Sequence, residues 1–310
     1  MRTRSLLALV LITAPLALAQ DDTMSLDDLV KEGAEWIQKN IDPDVLRALG
    51  AADQGKVEQV LRDVQQRFQG EYVIDLAALK ETAVAVLPLL EAHEETQPYA
   101  VWLKARLDYF ELADEFKRAA PTPKIEPGLP VKPVPNPEPE VQRKAWQKQL
   151  EKRPLPKGAD AWVSRLQPIF VAAKVPKELV WLAEVESSFD ARARSPVGAA
   201  GLFQLMPRTA KSMGLSLSPR DERLQPEKSA AAAAKYLKYL YGQFHDWPLA
   251  LAAYNAGEGR VRSLLTKHKA TSFDKIATHL PAETQMYVPK IDATLLRREG
   301  VTLGSLPASS

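Results

Sequence analysis

Residues 121–140 read PTPKIEPGLPVKPVPNPEPE, and eight of these twenty positions are proline. Each proline removes a backbone donor and clashes with the preceding helical turn, so neither an α-helix nor an inner strand can run through the stretch. The run predicts an extended, semi-rigid linker. Its apolar members Ile125, Leu129, Val131 and Val134 leave open that it lies in a groove of a neighbouring domain instead. Either way it divides a 310-residue chain, long enough for two domains, into an N-terminal part and a C-terminal part.

The N-terminal part, 20–120, reads as helical throughout. SLDDLVKEGAEWIQKNI has a Ser cap, early acids and helical apolar spacing. GKVEQVLRDVQQRFQGEY, DLAALKETAVAVLPLLEA and YAVWLKARLDYFELADEFKR follow, with Pro88 expected to kink or split the third helix. No catalytic constellation is legible here, and His93 and the acids read as a solvated face. The role of this helical domain is left open, with a protein partner as a candidate.

Ahead of it, MRTR is a basic start, SLLALVLITAPLALA is a short apolar run, and Ala17-Leu18-Ala19 is an A-x-A cleavage site. Residues 1–19 therefore read as a secretory signal peptide. The run is short for a membrane span and contains Pro15, so an uncleaved anchor is the weaker reading. The mature chain is expected in the periplasm or cell envelope, with no integral span. The sequence has no cysteine, which excludes disulfides, Cys-based metal sites and a lipid-modified Cys at the cleavage point. Residues 20–140 carry 13 Lys and Arg against 24 Asp and Glu, whereas 141–310 carry 26 against 15. A basic C-terminal part favours an anionic partner such as a cell-wall polymer or nucleic acid. The opposite signs also suit docking of the two parts on one another.

In the C-terminal part, 141–300, helices return. AWVSRLQPIFVAAK is amphipathic, and VPKELVWLAEVESSF opens with Pro176 at a first helical position. Leu179, Leu182 and Ala183 form an apolar stripe whose next position, i+7, is Glu186. A buried carboxyl tends to keep its proton rather than its charge, and a carboxyl neutral near pH 7 can serve as a general acid. The plainer reading is a boundary Glu that reaches solvent. Glu184, two residues away, is expected on another, solvated side of the helix. The segment after Glu186, rich in Gly and short apolar pieces, predicts turns and a small strand pair. An Ala-rich helix, a helix–turn–helix with its turn at 255–259, and a last pair of helices follow. Residues 301–310 read as a flexible tail.

Other chemistries are not supported. The sequence has no phosphate-binding Gly-rich loop after a strand, no G-x-S-x-G and no H-E-x-x-H. His93, His245, His268 and His279 lack ligand spacing, so no metal or other cofactor is expected. The aromatics of the basic part fall on helical core spacing, which argues against nucleic-acid binding.

Glu186–Ala210 carries E-S-S-F-x-x-x-A-x-S-x-x-G-A-x-G-L-x-Q-L-M-P-x-T-A, followed by A-Y-N-A-G at Ala253–Gly257 and E-T-x-x-Y-V at Glu283–Val288. Three motifs in this order resemble the soluble lytic transglycosylases, relatives of goose-type lysozyme, over roughly 140–310; the resemblance does not extend to 20–140. It implies a mainly α, lysozyme-like catalytic domain with a small β region beside a cleft. It implies a peptidoglycan substrate, cut between N-acetylmuramic acid and N-acetylglucosamine. It makes Glu186 the single catalytic acid, and places Ser195, Gln204 and Met206 near the scissile sugar, Tyr254 and Asn255 on the cleft wall, and Glu283 and Tyr287 where the groove closes. From the residues alone the plainer readings are favoured: Ser195 as a turn cap, Gln204 as a satisfied core amide, Met206 as core filler, and Tyr254 and Tyr287 as packing aromatics, while Glu283 could simply be a salt-bridge partner. Rival functions are a muramidase that uses water on the same bond, and a non-catalytic wall-binding scaffold.

Overall fold

A computed structural model describes residues 61–62, 64–121, 133–151 and 153–309. The expected signal peptide at 1–19, the first predicted helix, the start of the second and linker residues 122–132 lie outside the described residues. Helical residues at 61–62 and 64–68 and a 3₁₀ turn at Val73–Leu79 come first. They are followed by α1 (Lys80–Glu91), α2 (Gln97–Lys104), α3 (Leu107–Ala119), α4 (Pro139–Leu150), α5 (Ala159–Ala172) and α6 (Leu182–Ser187). Then come α7 (Pro207–Ser212), α8 (Pro226–Phe244), α9 (Trp247–Ala256), α10 (Glu258–His268), α11 (Phe273–Ile276) and α12 (Ala282–Glu299). The class is mainly α, as expected. Among the described residues there is no strand. The β region is two isolated antiparallel bridges, Arg194 with Ala200 and Ala200 with Leu205.

Local chemistry accounts for several helix ends. The Asp246 carboxylate accepts from Leu249 N–H and starts α9, with Pro248 inside the first turn, where a missing N–H costs nothing. Gly257 at φ 89° separates α9 from α10, at the turn expected from the sequence. Pro88 sits inside α1 and does not split it, and α12 likewise continues through Pro289. Tertiary packing holds both helices against the local penalty.

Helix α12 organises the fold because all of its residues from Ala282 to Leu295 are buried, so it faces protein on every side. Ala282, Met286 and Ala293 join a core made by Phe68, Leu76, Trp102, Phe110 and Trp146. Tyr287, Val288, Ile291 and Leu295 join a second core with Phe170, Leu182, Phe203 and Leu251. The helices at 61–119 therefore share a core with α4 and α12.

Several charged and polar groups along this seam are paired, as burial favours. Lys290 Nζ lies 2.8 Å from Asp108 Oδ2, and Arg153 Nη1 lies 2.7 Å from the same oxygen. Lys290 Nζ also sits 4.3 Å from the Tyr109 ring centroid. Ala282 N–H donates to Gly70 O at 2.7 Å. Asn136, at the end of the proline-rich stretch, accepts from Val73 N–H at 2.8 Å and donates to Glu71 O at 2.7 Å. Individual buried pairs thus hold the seam.

Residues 301–309, expected as a flexible tail, lie against the core. Leu303 is buried and its N–H donates to Asp292 Oδ1 at 2.7 Å, while Trp247 Nε1–H donates to Pro307 O at 2.9 Å. Among the described residues, no helix is long and apolar enough to cross a membrane.

Candidate active site

The stripe that ends in Glu186 is built as a 3₁₀ turn, Lys177–Trp181, running into the short helix α6. Every residue of α6 is buried. The helix stops at two left-handed residues, Ser188 at φ 51° and Phe189 at φ 62°. Ser188 N–H donates to Glu184 O and Phe189 N–H to Ala183 O, which satisfies the last carbonyls. Phe189 then packs edge-on against Trp181, with ring centroids 5.7 Å apart. Ser187 Oγ–H is placed to donate to Ala183 O and Leu202 O, joining α6 to the following loop.

Glu186 is 5% exposed and does not reach solvent as the plainer reading required. Its Oε1 accepts from Tyr287 Oη at 2.5 Å, and its Oε2 lies 4.0 Å from Arg106 Nη2. Burial pushes the carboxyl up to about 7, against the opposing pull of Arg106 and the Tyr287 hydroxyl. The expectation that Glu184 is solvated is corrected: it is 5% exposed and forms a two-pronged pair with Arg298, at 2.9 and 3.0 Å. Successive positions on a one-and-a-half-turn helix packed all round both lie inside, so Glu184 needs the Arg fork where Glu186 has a hydroxyl.

The loop after Glu186 is held by its own backbone and by Arg223. Ser195 Oγ accepts from Ala199 N–H at 2.9 Å, which caps the turn. Gln204, at φ 44°, donates from Nε2 to Ala193 O and Gly201 O. Among the described residues its buried Oε1 has no hydrogen-bond partner. Arg223, paired with Asp221, donates to Gly198 O at 2.6 Å and Leu205 O at 2.9 Å. A Cβ on Gly201 would stand 1.9 Å from Arg223 O, so this backbone approach requires glycine. Met206 is 41% exposed and not core filler.

Tyr254, on α9, donates from Oη to Phe203 O at 2.7 Å, and the adjacent Asn255 Oδ1 accepts from Thr284 Oγ1 at 2.6 Å. Burial first, and the neighbouring Glu186 second, push the Tyr254 hydroxyl well above its ordinary range; Tyr287 is raised by the same two causes. Helix α12 thus carries Glu283, Thr284 and Tyr287 to the site one turn apart, Tyr287 onto Glu186 and Thr284 onto Asn255.

Glu283 is buried and faces the N-terminal helices. It accepts from Arg106 Nη2 at 3.2 Å on Oε1 and from Gln65 Nε2 at 3.2 Å on Oε2. Arg106 is the site residue that sequence reasoning missed, because it lies outside the three motifs in a region with no catalytic pattern. A cavity of about 420 Å³ opens between the same N-terminal region and α6, its walls including Ala100, Lys104, Ser187, Ser188 and Arg192. The described residues hold no cluster of His, Cys, Asp or Glu arranged for a metal ion.

Residues 172–277 match the family model described as Transglycosylase SLT domain. The membrane-bound lytic murein transglycosylase D of Escherichia coli is 42% identical over 121 residues, 38% of this chain and 27% of the relative. The soluble lytic murein transglycosylase of Salmonella typhimurium is 40% identical over 119 residues, 36% of this chain and 18% of the relative. The chain thus spans about a quarter or less of the length of these relatives. The crystal structure of the 70 kDa soluble lytic transglycosylase of Escherichia coli has a TM-score of 0.44 at 19% identity, covering 99% of this chain and 62% of that one. Glu186, the loop to Ala210, Tyr254 and Asn255 fall inside the SLT domain match, whereas Glu283, Tyr287 and Arg106 fall outside it.

Proposed function

We propose that the chain is a peptidoglycan lytic transglycosylase that cuts the β-1,4 bond between N-acetylmuramic acid and N-acetylglucosamine. The observation that carries this reading is Glu186, buried within the segment that matches the SLT domain and bonded to Tyr287, where burial pushes its carboxyl up to about 7. Most glycosidases need two carboxylates across the scissile bond. Glu184 is engaged by Arg298 and Glu283 by Arg106, which supports a reading with Glu186 as the single acid.

The steps follow from one acid that gives and then takes a proton. Neutral Glu186 protonates the glycosidic oxygen as the C1–O bond breaks, releasing the leaving sugar. The N-acetyl carbonyl of the muramic acid stabilises the cationic C1. The Glu186 carboxylate then removes the proton from the C6 hydroxyl, whose oxygen bonds to C1. The product is a 1,6-anhydro sugar, no water is consumed, and Glu186 regains its proton. Tyr287, bonded to the same carboxyl, fixes its orientation in both states. Ser195 and Gln204 hold the loop that would face the sugar, with Met206, Tyr254 and Asn255 as further contacts. The signal peptide at 1–19 supports action in the periplasm or envelope.

The test is a digest of purified peptidoglycan by wild type and Glu186→Gln, with products read by mass spectrometry. Anhydro-muropeptides from the wild type alone are the expected result. Reducing-end products would make the protein a hydrolytic muramidase, and no products from either would favour the wall-binding scaffold.

A further inference from the structure

Arg106 lies in the turn between α2 and α3, outside the SLT match, yet it reaches the candidate catalytic centre. It is 7% exposed, so its charge is costly unless paired. Its Nη2 is 3.2 Å from Glu283 Oε1 and 4.0 Å from Glu186 Oε2, so one guanidinium nitrogen faces both carboxyls. The group is fixed from behind. Its Cζ sits 4.9 Å from the Trp102 ring centroid, and Nη1 donates to Trp102 O at 3.4 Å. Gln65 and Gln69 also donate to Glu283 Oε2, at 3.2 and 3.5 Å, so that carboxyl is held from the N-terminal side by three residues.

We propose that Arg106 is a positioning residue for the proton on Glu186, and that its pair with Glu283 sets the pH range in which the acid stays loaded. The helices at 61–119 would then complete the catalytic centre. This deepens the transglycosylase reading and rests on it for its functional meaning. The electrostatic content is independent of that reading. Arg106 favours the ionised form of Glu186 and Glu283 disfavours it. The pair together holds the acid between these limits. The other groups that face Glu186 are Tyr287 and Lys290 from α12, Tyr254 from α9 and Tyr109 from α3. Lys290 is itself neutralised by Asp108, which Arg153 also contacts.

The two partners therefore have opposite predicted effects, which a merely structural role would not give. Arg106→Gln should move the Glu186 titration upward, by about one to three pH units for loss of an opposite charge at this range. Glu283→Gln should move it downward, because Arg106 is left unopposed. Arg106→Lys should stay near the wild type. The titration is read in two ways. One is the alkaline limb of the pH–rate profile on purified peptidoglycan. The other is the pH dependence of the stability difference between each protein and its Glu186→Gln counterpart, which needs no turnover. Shifts of the same sign in Arg106→Gln and Glu283→Gln, or no shift in either, would overturn the proposal. If Arg106→Gln does not fold, Glu283→Gln decides it: a downward move supports the pair and an unmoved titration refutes it. If the wild type releases no product, the enzyme reading fails, while the stability titration still decides the role of Arg106.

Discussion

Replacing Glu186 with Gln should stabilise the protein at alkaline pH while it removes activity. The native carboxyl is raised from 4.5 to about 7, with burial as the leading cause. A group raised on folding contributes stability that is complete below its unfolded value and is lost as pH rises through its folded value. For Glu186 that loss runs from about pH 4.5 to about pH 7. At about 1.4 kcal/mol per pH unit, the wild type gives up on the order of 3 kcal/mol across this window. Gln has the same shape, can still accept from Tyr287 Oη, and does not titrate. The variant should therefore match the wild type near pH 4 and exceed it by up to about 3 kcal/mol at pH 8. In thermal unfolding this is a gain of roughly 5–10 °C at pH 8. Paired melts at pH 4, 5.5, 7 and 8 measure it. A difference that stays flat between pH 4 and pH 8 would mean that Glu186 is ionised and solvated in the native state, and the general-acid reasoning would fall with it.

Tyr287→Phe removes the hydroxyl that favours the charged form of Glu186, so the alkaline limb of activity should move above the wild-type position, with kcat falling more than KM rises; an unmoved limb would separate Tyr287 from the acid. Asp108→Ala leaves Lys290 buried without its carboxylate, which should cost about 3–5 kcal/mol in urea unfolding, and a loss below about 1 kcal/mol would show that the seam is wet. Gly201→Ala forces a Cβ to within 1.9 Å of Arg223 O, and a drop of at least about 2 kcal/mol in stability is expected in the same assay. Tyr254→Phe strands the Phe203 carbonyl and should cost about 1–3 kcal/mol; full stability would mean that the Tyr254 hydroxyl is not bonded there.

Glu186 was legible because its apolar neighbours at i, i+3 and i+4 mark a buried face, and burial alone supplies most of the physics of a retained proton. The loop at 194–205 was legible as turns, because glycine and proline punctuate it. Glu184 was misjudged, since helical spacing assigns a solvated side only when a helix has one, and α6 is packed all round. The tail at 301–309 was misjudged because its anchors, Asp292, Trp247 and Lys174, are remote in sequence. Arg106 carries no local signature at all. Its partners Glu283 and Glu186 lie 177 and 80 positions along the chain, and only packing brings them together.

By itself the sequence determined the local quantities: where helices start and stop, which face of each is apolar, and which carboxyl stands on an apolar stripe. These follow from short-range sterics and periodicity, which act within one turn or one element. The tertiary structure decided the electrostatics. It buries α12 on every side, brings Tyr287 to Glu186, and uses the N-terminal helices to set Arg106 against Glu283. Charge interactions depend on distances and on excluded water, and neither exists until the two cores have closed around the shared helix.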